Sequence, residues 1–355
     1  MYAKTSIRWF AVVLLSGVFS IASAQTNPDS LREVKRRATE TFLDSSKPTA
    51  ERLQAATKLG YPEAETFPEL LRVGTDPNDD ARVRLIALKR YSYDDKYIDA
   101  VLAIISNPSE DETLAAGLID DITRRTTFRQ PAEIRQRLQS ALRERLDDSR
   151  AAVRLAAYRA SVSSHDAVAI DKLVESLRSG SNFPVPLHDA IELLDVDGST
   201  KHIITLRPYL GNPDSTVQAQ AARALAVDPE SRQAIVGLAL DIKTPKVVRI
   251  NALRALSRED KQFMNYAVEL MGNPREVADI RYEVMKAAMG RLNYNSEPAD
   301  IQISFARAVE RLASERGVIT SDGRDVGAEA KKLIPHLCRS FPAVRKYLGS
   351  RCQRQ

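Results

Sequence analysis

Apolar residues recur along this chain at the spacing of helices buried on one face. In "TVQAQAARAL" (216–225) and "VVRINALRAL" (247–256), valine stands second, alanine sixth, arginine eighth, alanine ninth and leucine tenth. With that valine as position zero, five segments align, on Val83, Val153, Val217, Val248 and Ile280. Four residues on stand Ala87, Ala157, Ala221, Ala252 and Val284, and seven on stand Arg90, Ala160, Ala224, Ala255 and Ala287. Positions 0, 4 and 7 share one helical face, and the recurrent alanine lets a second helix approach closely. Each segment is therefore predicted to be a half-buried helix, here called B.

A turn precedes each B helix: "TDPNDD" (75–80), "LDDSRA" (146–151), "GNPDST" (211–216), "KTPKV" (243–247) and "GNPRE" (272–276). Asp and Asn suit the cap of the following helix and Pro its first turn. Another apolar-periodic run comes before each turn, such as 201–210 or 233–242, and is predicted to be a helix A. Weaker helix–turn–helix copies occupy 97–122 and 169–194, a degenerate first unit 31–59, and closing helices 300–317 and 325–337. The repeat is about 32 residues, giving about eight units and a cap. One helix pair cannot bury its apolar face alone, so stacked neighbours share a continuous core. The pattern predicts an all-α chain of antiparallel helix pairs wound as a right-handed superhelix, with no sheet.

The repeat resembles the HEAT family, above all its short bacterial HEAT-like form, over most of residues 31–317. That family places an Asp in the turn and Val-Arg at the start of helix B. Asp148 and Arg154 fit this, six residues apart; Asn78 with Arg84 and Asn212 with Gln218 are softened versions. Arg249 and Arg281 keep the arginine but have Lys243 and Arg275 six residues before, so the ladder is expected to be partly lost there. The resemblance implies a solenoid whose B helices line the concave surface. It says almost nothing about function.

The first 24 residues read as an export signal. Lys4 and Arg8 form the positive start, Trp9–Ile21 the apolar stretch, and Ala22-Ser23-Ala24 the cleavage site before Gln25. Thirteen apolar-biased residues fall short of the roughly 20 that cross a membrane. The expected organisation is a signal peptide (1–24), a repeat domain (25–317) and a C-terminal helical cap (318–355). Cleavage after Ala24 removes two positive charges and lowers the net charge from +5 to +3. A periplasmic or secreted location follows, with no membrane span. Both cysteines, Cys338 and Cys352, lie in the last 18 residues, and in an exported chain such a pair is expected to form a disulfide closing the cap.

Recognisable catalytic and cofactor motifs are absent. The four histidines (His165, His188, His202, His336) form no H-E-x-x-H, and S-x-x-K, G-x-G-x-x-G, G-x-S-x-G and the P-loop are missing. No metal or cofactor is expected. "DVDG" (195–198) lacks the spacing of a calcium loop and reads as a turn. Tyr91, Tyr93 and Tyr97 stand beside charges, where they either stack bases or sugars or pack between the second and third units. The packing reading is the plainer one.

Position +6 is the patterned feature: Lys89, Arg159, Arg223, Arg254 and Lys286 place a cation in each of the five clear repeats. At 100° per residue it lies about 240° round the helix, away from the apolar stripe, and should face solvent. In the fifth unit, with Leu187 as position zero, Leu193 interrupts this row. The charge is uneven: residues 124–159 carry +6, residues 160–230 carry −5, and residues 331–355 hold seven basic side chains and no acid. These features predict a non-enzymatic binding or scaffolding protein of the cell envelope, holding a protein partner on its B-helix face. The alternative is a binder of anionic polymer: acidic polysaccharide, lipid headgroups or nucleic acid. Export argues against genomic DNA. An enzyme on a HEAT-like fold is a third class, since alkylation-repair glycosylases and bilin lyases share such folds, but no matching site is found.

Overall fold

A computed structural model describes residues 28–91, 94–125, 131–197, 200–294 and 297–353. The expected signal peptide, Tyr93 and Gly198 lie outside the described residues. The chain is all-helical, with one isolated β-bridge between Ile319 and Asp325 and no strand among the described residues. It divides into two compact units, up to Tyr91 and from Ser92.

The first unit holds α1 (Pro28–Leu43), α2 (Thr49–Ala56), α3 (Phe67–Thr75) and α4 (Ala81–Arg90). Here α1 packs on α2, α3 on α4, and α2 on α4. The second unit begins with α5 (Asp95–Ser106), α6 (Glu112–Arg125), α7 (Ala132–Glu144), α8 (Ala151–Ser163), α9 (Ala167–Ser179) and α10 (Leu187–Asp197). It continues with α11 (Thr200–Ile203), the 3-10 helix Ile204–Gly211, α12 (Ser215–Ala224), α13 (Arg232–Leu240), α14 (Lys246–Glu259), α15 (Phe263–Gly272) and α16 (Ala278–Tyr294). It ends with α17 (Ala299–Ser314), α18 (Val326–Ser340) and α19 (Pro342–Leu348).

Within the second unit the B helices α6, α8, α10, α12, α14, α16 and α18 each pack on the next. The position-zero residues Val83, Val153, Val217, Val248 and Ile280 are all buried, as are the five residues four positions on. In these five helices the sequence period thus marks the buried stripe at positions 0 and 4; position 7 is buried at Ala160, Ala224 and Ala255 and half-buried at Arg90 and Ala287. At α17 and α18 the approach is close enough to need glycine: a Cβ on Gly327 would stand 2.6 Å from the carbonyl oxygen of Glu315.

Two local expectations are corrected. The run 201–210 does not form an ordinary α-helix: after α11 it tightens into a 3-10 helix containing Pro208. Proline lacks the N–H that an α-helix needs from that position. The turn prolines Pro77, Pro213 and Pro274 also precede their B helices rather than starting them. They follow an Asp or Asn whose side chain accepts the N–H two residues on, as in Asn78 N to Asp76 Oδ1 (3.0 Å), Asp214 N to Asn212 Oδ1 (2.9 Å) and Arg275 N to Asn273 Oδ1 (3.0 Å). This is the Asx turn, with proline pre-set at its corner. Helix capping falls to a later acid: Asp80 accepts from Arg82 N (2.9 Å) and Asp214 from Thr216 N (2.7 Å).

Candidate binding surface

Five B helices of the second unit, α6, α8, α10, α12 and α14, place one polar residue between two pairs of buried ones; in α16 and α18 the neighbours of Lys286 and Lys332 are only partly buried. In α14, Ala252, Leu253, Ala255 and Leu256 are buried and flank exposed Arg254. Arg159 in α8 and Arg223 in α12 occupy the same place. In α10 the buried residues are Ala190, Ile191, Leu193 and Leu194, so the equivalent residue is Glu192. Leu193 therefore does not interrupt the row. The four buried neighbours of Glu192 move position zero back one residue to Pro186, which is itself exposed, and the gap is filled by an acid. In α6 the pairs Leu118–Ile119 and Asp121–Ile122 flank Asp120, a second acid. In α18, counting from buried Val326, the position falls on Lys332.

Along the second unit the row thus reads Asp120, Arg159, Glu192, Arg223, Arg254, Lys286, Lys332. Lys89 holds the equivalent place in α4 of the first unit and is half-buried. The acids missed in the sequence carried a readable signal, because the four buried residues around each are apolar apart from Asp121.

These side chains differ in how far they are already engaged. Arg223, 27% exposed, has its Nε 3.0 Å from Asp195 and its Nη2 3.6 Å from Glu192. The Nε of Arg223 makes no aligned hydrogen bond, so this is charge pairing without direction. Arg254 donates to Glu283 at 2.7 Å, and the same carboxylate lies 3.9 Å from the Lys286 ammonium. Lys286 also sits 5.3 Å from the Tyr282 ring centre. Lys332 donates to Glu329 at 2.6 Å. Arg159 is exposed and makes no ion pair among the described residues. Surface pairs of this kind contribute about 0–1 kcal/mol each, so they set charge pattern rather than stability.

The arginine at the start of helix B is a separate, buried device. Arg84, Arg249 and Arg281 are buried, and each donates from Nε to the carbonyl ten residues back: Gly74 (3.3 Å), Ala239 (3.0 Å) and Met271 (3.0 Å). Arg52 does the same to Phe42 (2.8 Å). All four carbonyls belong to the last-but-one residue of the preceding A helix, where the backbone lacks its own donor. Their guanidinium ends then reach forward rather than back: Arg52 to Asp79 (2.8 Å), Arg249 to Glu276 (2.6 and 2.8 Å) and Arg281 to Glu315 (2.7 and 2.8 Å). The ladder expected to be lost at Arg249 and Arg281 is present, with acids supplied by the following unit.

The Asp148–Arg154 pair behaves differently. Arg154 donates to the main-chain carbonyl of Asp148 and to that of Pro184, not to the Asp148 carboxylate. That carboxylate is taken by Arg150, through its backbone N–H (2.9 Å) and side chain (2.8 and 2.9 Å), and by Arg145 (3.3 Å). The side-chain bond from Arg150 holds the Asp148 carboxyl at about 2, below the ordinary value of about 3.9. A depressed carboxyl stabilises the fold above its unfolded pKa and loses that contribution as pH falls through the folded one. The expected result is that Asp148→Asn unfolds more readily than the native chain at pH 6, with the gap closing as pH falls through about 2. Urea midpoints across that range check this, and a constant gap would contradict it.

Among the described residues, Tyr91 and Tyr97 are taken up in packing. Tyr97 is buried and donates to Asp121 at 2.7 Å, with the Arg125 guanidinium 5.0 Å from its ring. Tyr91 is buried against Phe67, ring centres 5.4 Å apart. Neither ring is open to stack on a ligand. His188 lies 3.4 Å from Asp189. No cluster of three His, Cys, Asp or Glu side chains suited to a metal occurs among the described residues. Among them, no helix is long and apolar enough to cross a membrane. Cys338 and Cys352 form the expected disulfide, Cα atoms 5.9 Å apart.

A groove of about 660 Å³ lies between α14 and α16, lined by Arg254, Arg258, Glu283, Lys286, Gly290 and Arg291 among others. Its floor is firm. Arg291 donates to Glu297 at 2.7 Å and to the Ser257 carbonyl at 3.1 Å.

No protein-family model matches this chain. No curated protein matches it either. Among solved structures, human deoxyhypusine hydroxylase in complex with glycerol is similar over 75% of this chain and 97% of its own, at 12% identity and a TM-score of 0.30. A likeness that slight carries no functional inference.

Proposed function

We propose that this chain is an exported HEAT-like repeat protein that binds a protein partner along its B-helix face, without catalysis or cofactor. In this reading the antiparallel pairs wind as a right-handed superhelix, and the B helices line its concave side. The disulfide supports an oxidising compartment, periplasmic or extracellular. The observation that carries the reading is the polar residue at one equivalent place on successive B helices, with signs that alternate at Asp120, Arg159, Glu192 and Arg223 before turning basic. An evenly charged polymer laid along such a face meets acids at two of its steps. A folded partner can present the complementary order, which gives specificity and association rate more than final affinity.

The test replaces Lys89, Arg159, Arg223, Arg254 and Lys286 together by glutamine. Folding should stay nearly intact, because exposed or half-buried positions on the outer face of a helix tolerate such changes. Capture of the envelope partner at low salt is expected to slow by about tenfold or more, with the difference fading as salt rises. Unchanged capture at low salt would remove the row from the function. Strong, salt-dependent retention of the native chain on heparin, lost in the variant, would instead favour an anionic polymer.

A further inference from the structure

The groove between α14 and α16 contains a glycine that the fold does not need. Gly290 lies inside α16, and a Cβ built on it would meet nothing within 4 Å. Its φ is ordinary for a helix. Alanine there would favour the helix, so neither conformation nor packing explains the glycine. What it leaves is bare backbone at the floor of a groove, beside the small side chains of Ser257 and Ala287. Such a floor admits another main chain at close range.

The walls are cationic but unequal. Arg254 is occupied by Glu283 at 2.7 Å, and Arg291 by Glu297 at 2.7 Å. Lys286 is held only loosely, 3.9 Å from Glu283. Arg258 is exposed and makes no ion pair among the described residues. Arg258 also stands in the last turn of α14, where any cation complements the helix dipole. Its charge alone therefore argues little; Gly237 inside α13 is equally free of contacts, so what sets Gly290 apart is its place in a groove beside these cations.

We propose that this groove takes an extended acidic peptide segment of the partner, its main chain crossing Gly290 and its carboxylates meeting Arg258 and Lys286. The inference rests on the B-helix face being the binding surface. Glu283 selects the class of ligand. A sulfated or phosphorylated polymer must lay anions against that carboxylate, whereas a peptide can turn its neutral main chain, with its N–H donors, towards it. The Ser257 hydroxyl donates to the Arg254 carbonyl at 2.8 Å and keeps its lone pairs to accept a peptide N–H.

The probe is a fluorescent hexaglutamate peptide titrated against the full mature chain and read by anisotropy. Hexaglutamine, a heparin hexasaccharide and inorganic phosphate serve as comparators. Hexaglutamate should bind and hexaglutamine should not. Gly290→Leu should weaken binding about tenfold or more by filling the floor, with a melting temperature no lower than the native chain's. Arg258→Gln should weaken it by about three- to fivefold. Equal binding by Gly290→Leu overturns the proposal. So does binding of heparin or phosphate here without hexaglutamate. Partner capture by Gly290→Leu and by Arg159→Gln/Lys332→Gln, which lies outside the groove, separates the two readings. Loss only in the latter overturns the groove alone, while capture kept in all variants overturns the wider B-face reading.

Discussion

Replacing Arg249 by alanine is expected to cost about 3–5 kcal/mol of stability, the range for breaking one side of a buried ion pair. Arg249 and Glu276 are 3% and 4% exposed, and they meet through two parallel hydrogen bonds of 2.8 and 2.6 Å. Without the guanidinium, the Glu276 carboxylate stays buried with no opposite charge. Its one remaining local donor is the backbone N–H of Val277 (2.9 Å). The change also strips the Ala239 carbonyl of its donor (3.0 Å), worth a further 1–3 kcal/mol by ordinary estimates for an unmet buried group, partly included above.

The double variant Arg249→Met/Glu276→Leu separates these two effects. It removes both charges and leaves apolar volume, so it should recover most of the ion-pair loss. The Ala239 carbonyl stays unmet, so recovery should fall short of the native value by about 1 kcal/mol or more. Urea unfolding followed by circular dichroism checks both. A loss below about 1 kcal/mol in the single variant would mean that water reaches Glu276 and that the pair is not truly buried.

That buried pair also shows how far the sequence could be read. The B-helix stripe was legible because one residue type, alanine, recurs at one helical position, and burial follows that period at Val83, Val153, Val217, Val248 and Ile280. The arginine of the ladder is legible too, but its partner lies outside its own unit. Arg249 reaches an acid 27 residues later, in the next unit, as Arg52 does with Asp79. Arg52 lacks the Val-Arg signal because its unit is degenerate. A better signal is the Asp or Asn eight residues before each such arginine: Asp44, Asp76, Asp241 and Asn273. It marks the Asx turn that ends the A helix, hence the carbonyl the arginine must reach. The acids Asp120 and Glu192 were missed for another reason. Their units lack the Val-Arg start, so only the burial of their neighbours fixes the phase, and an error of one residue moves a side chain 100° round the helix.

Removal of the disulfide, as Cys338→Ser/Cys352→Ser, is expected to cost about 3 kcal/mol, the chain-entropy value for a ring of about 15 residues. The sequence separation of 14 fixes the ring, and the hairpin that closes it is built by other forces. Arg345 donates to the Cys338 carbonyl (2.8 Å) and to the Arg339 carbonyl (3.0 Å), capping the end of α18. Gly349 ends α19 at a φ of 53°, which suits glycine, and turns the chain back towards α18. Arg351 then ties the returning segment to Glu310 of α17 at 2.8 Å. These contacts survive in the serine variant, so its folded state should keep the hairpin while its opened state gains freedom. Backbone amides of α18 and α19 should therefore exchange roughly 100-fold faster, with helices far from the C-terminus little changed, since opening in stacked units is local. Exchange unchanged at α18 and α19 would show that Arg345, Arg351 and the packing on α17 hold the segment closed without the bond.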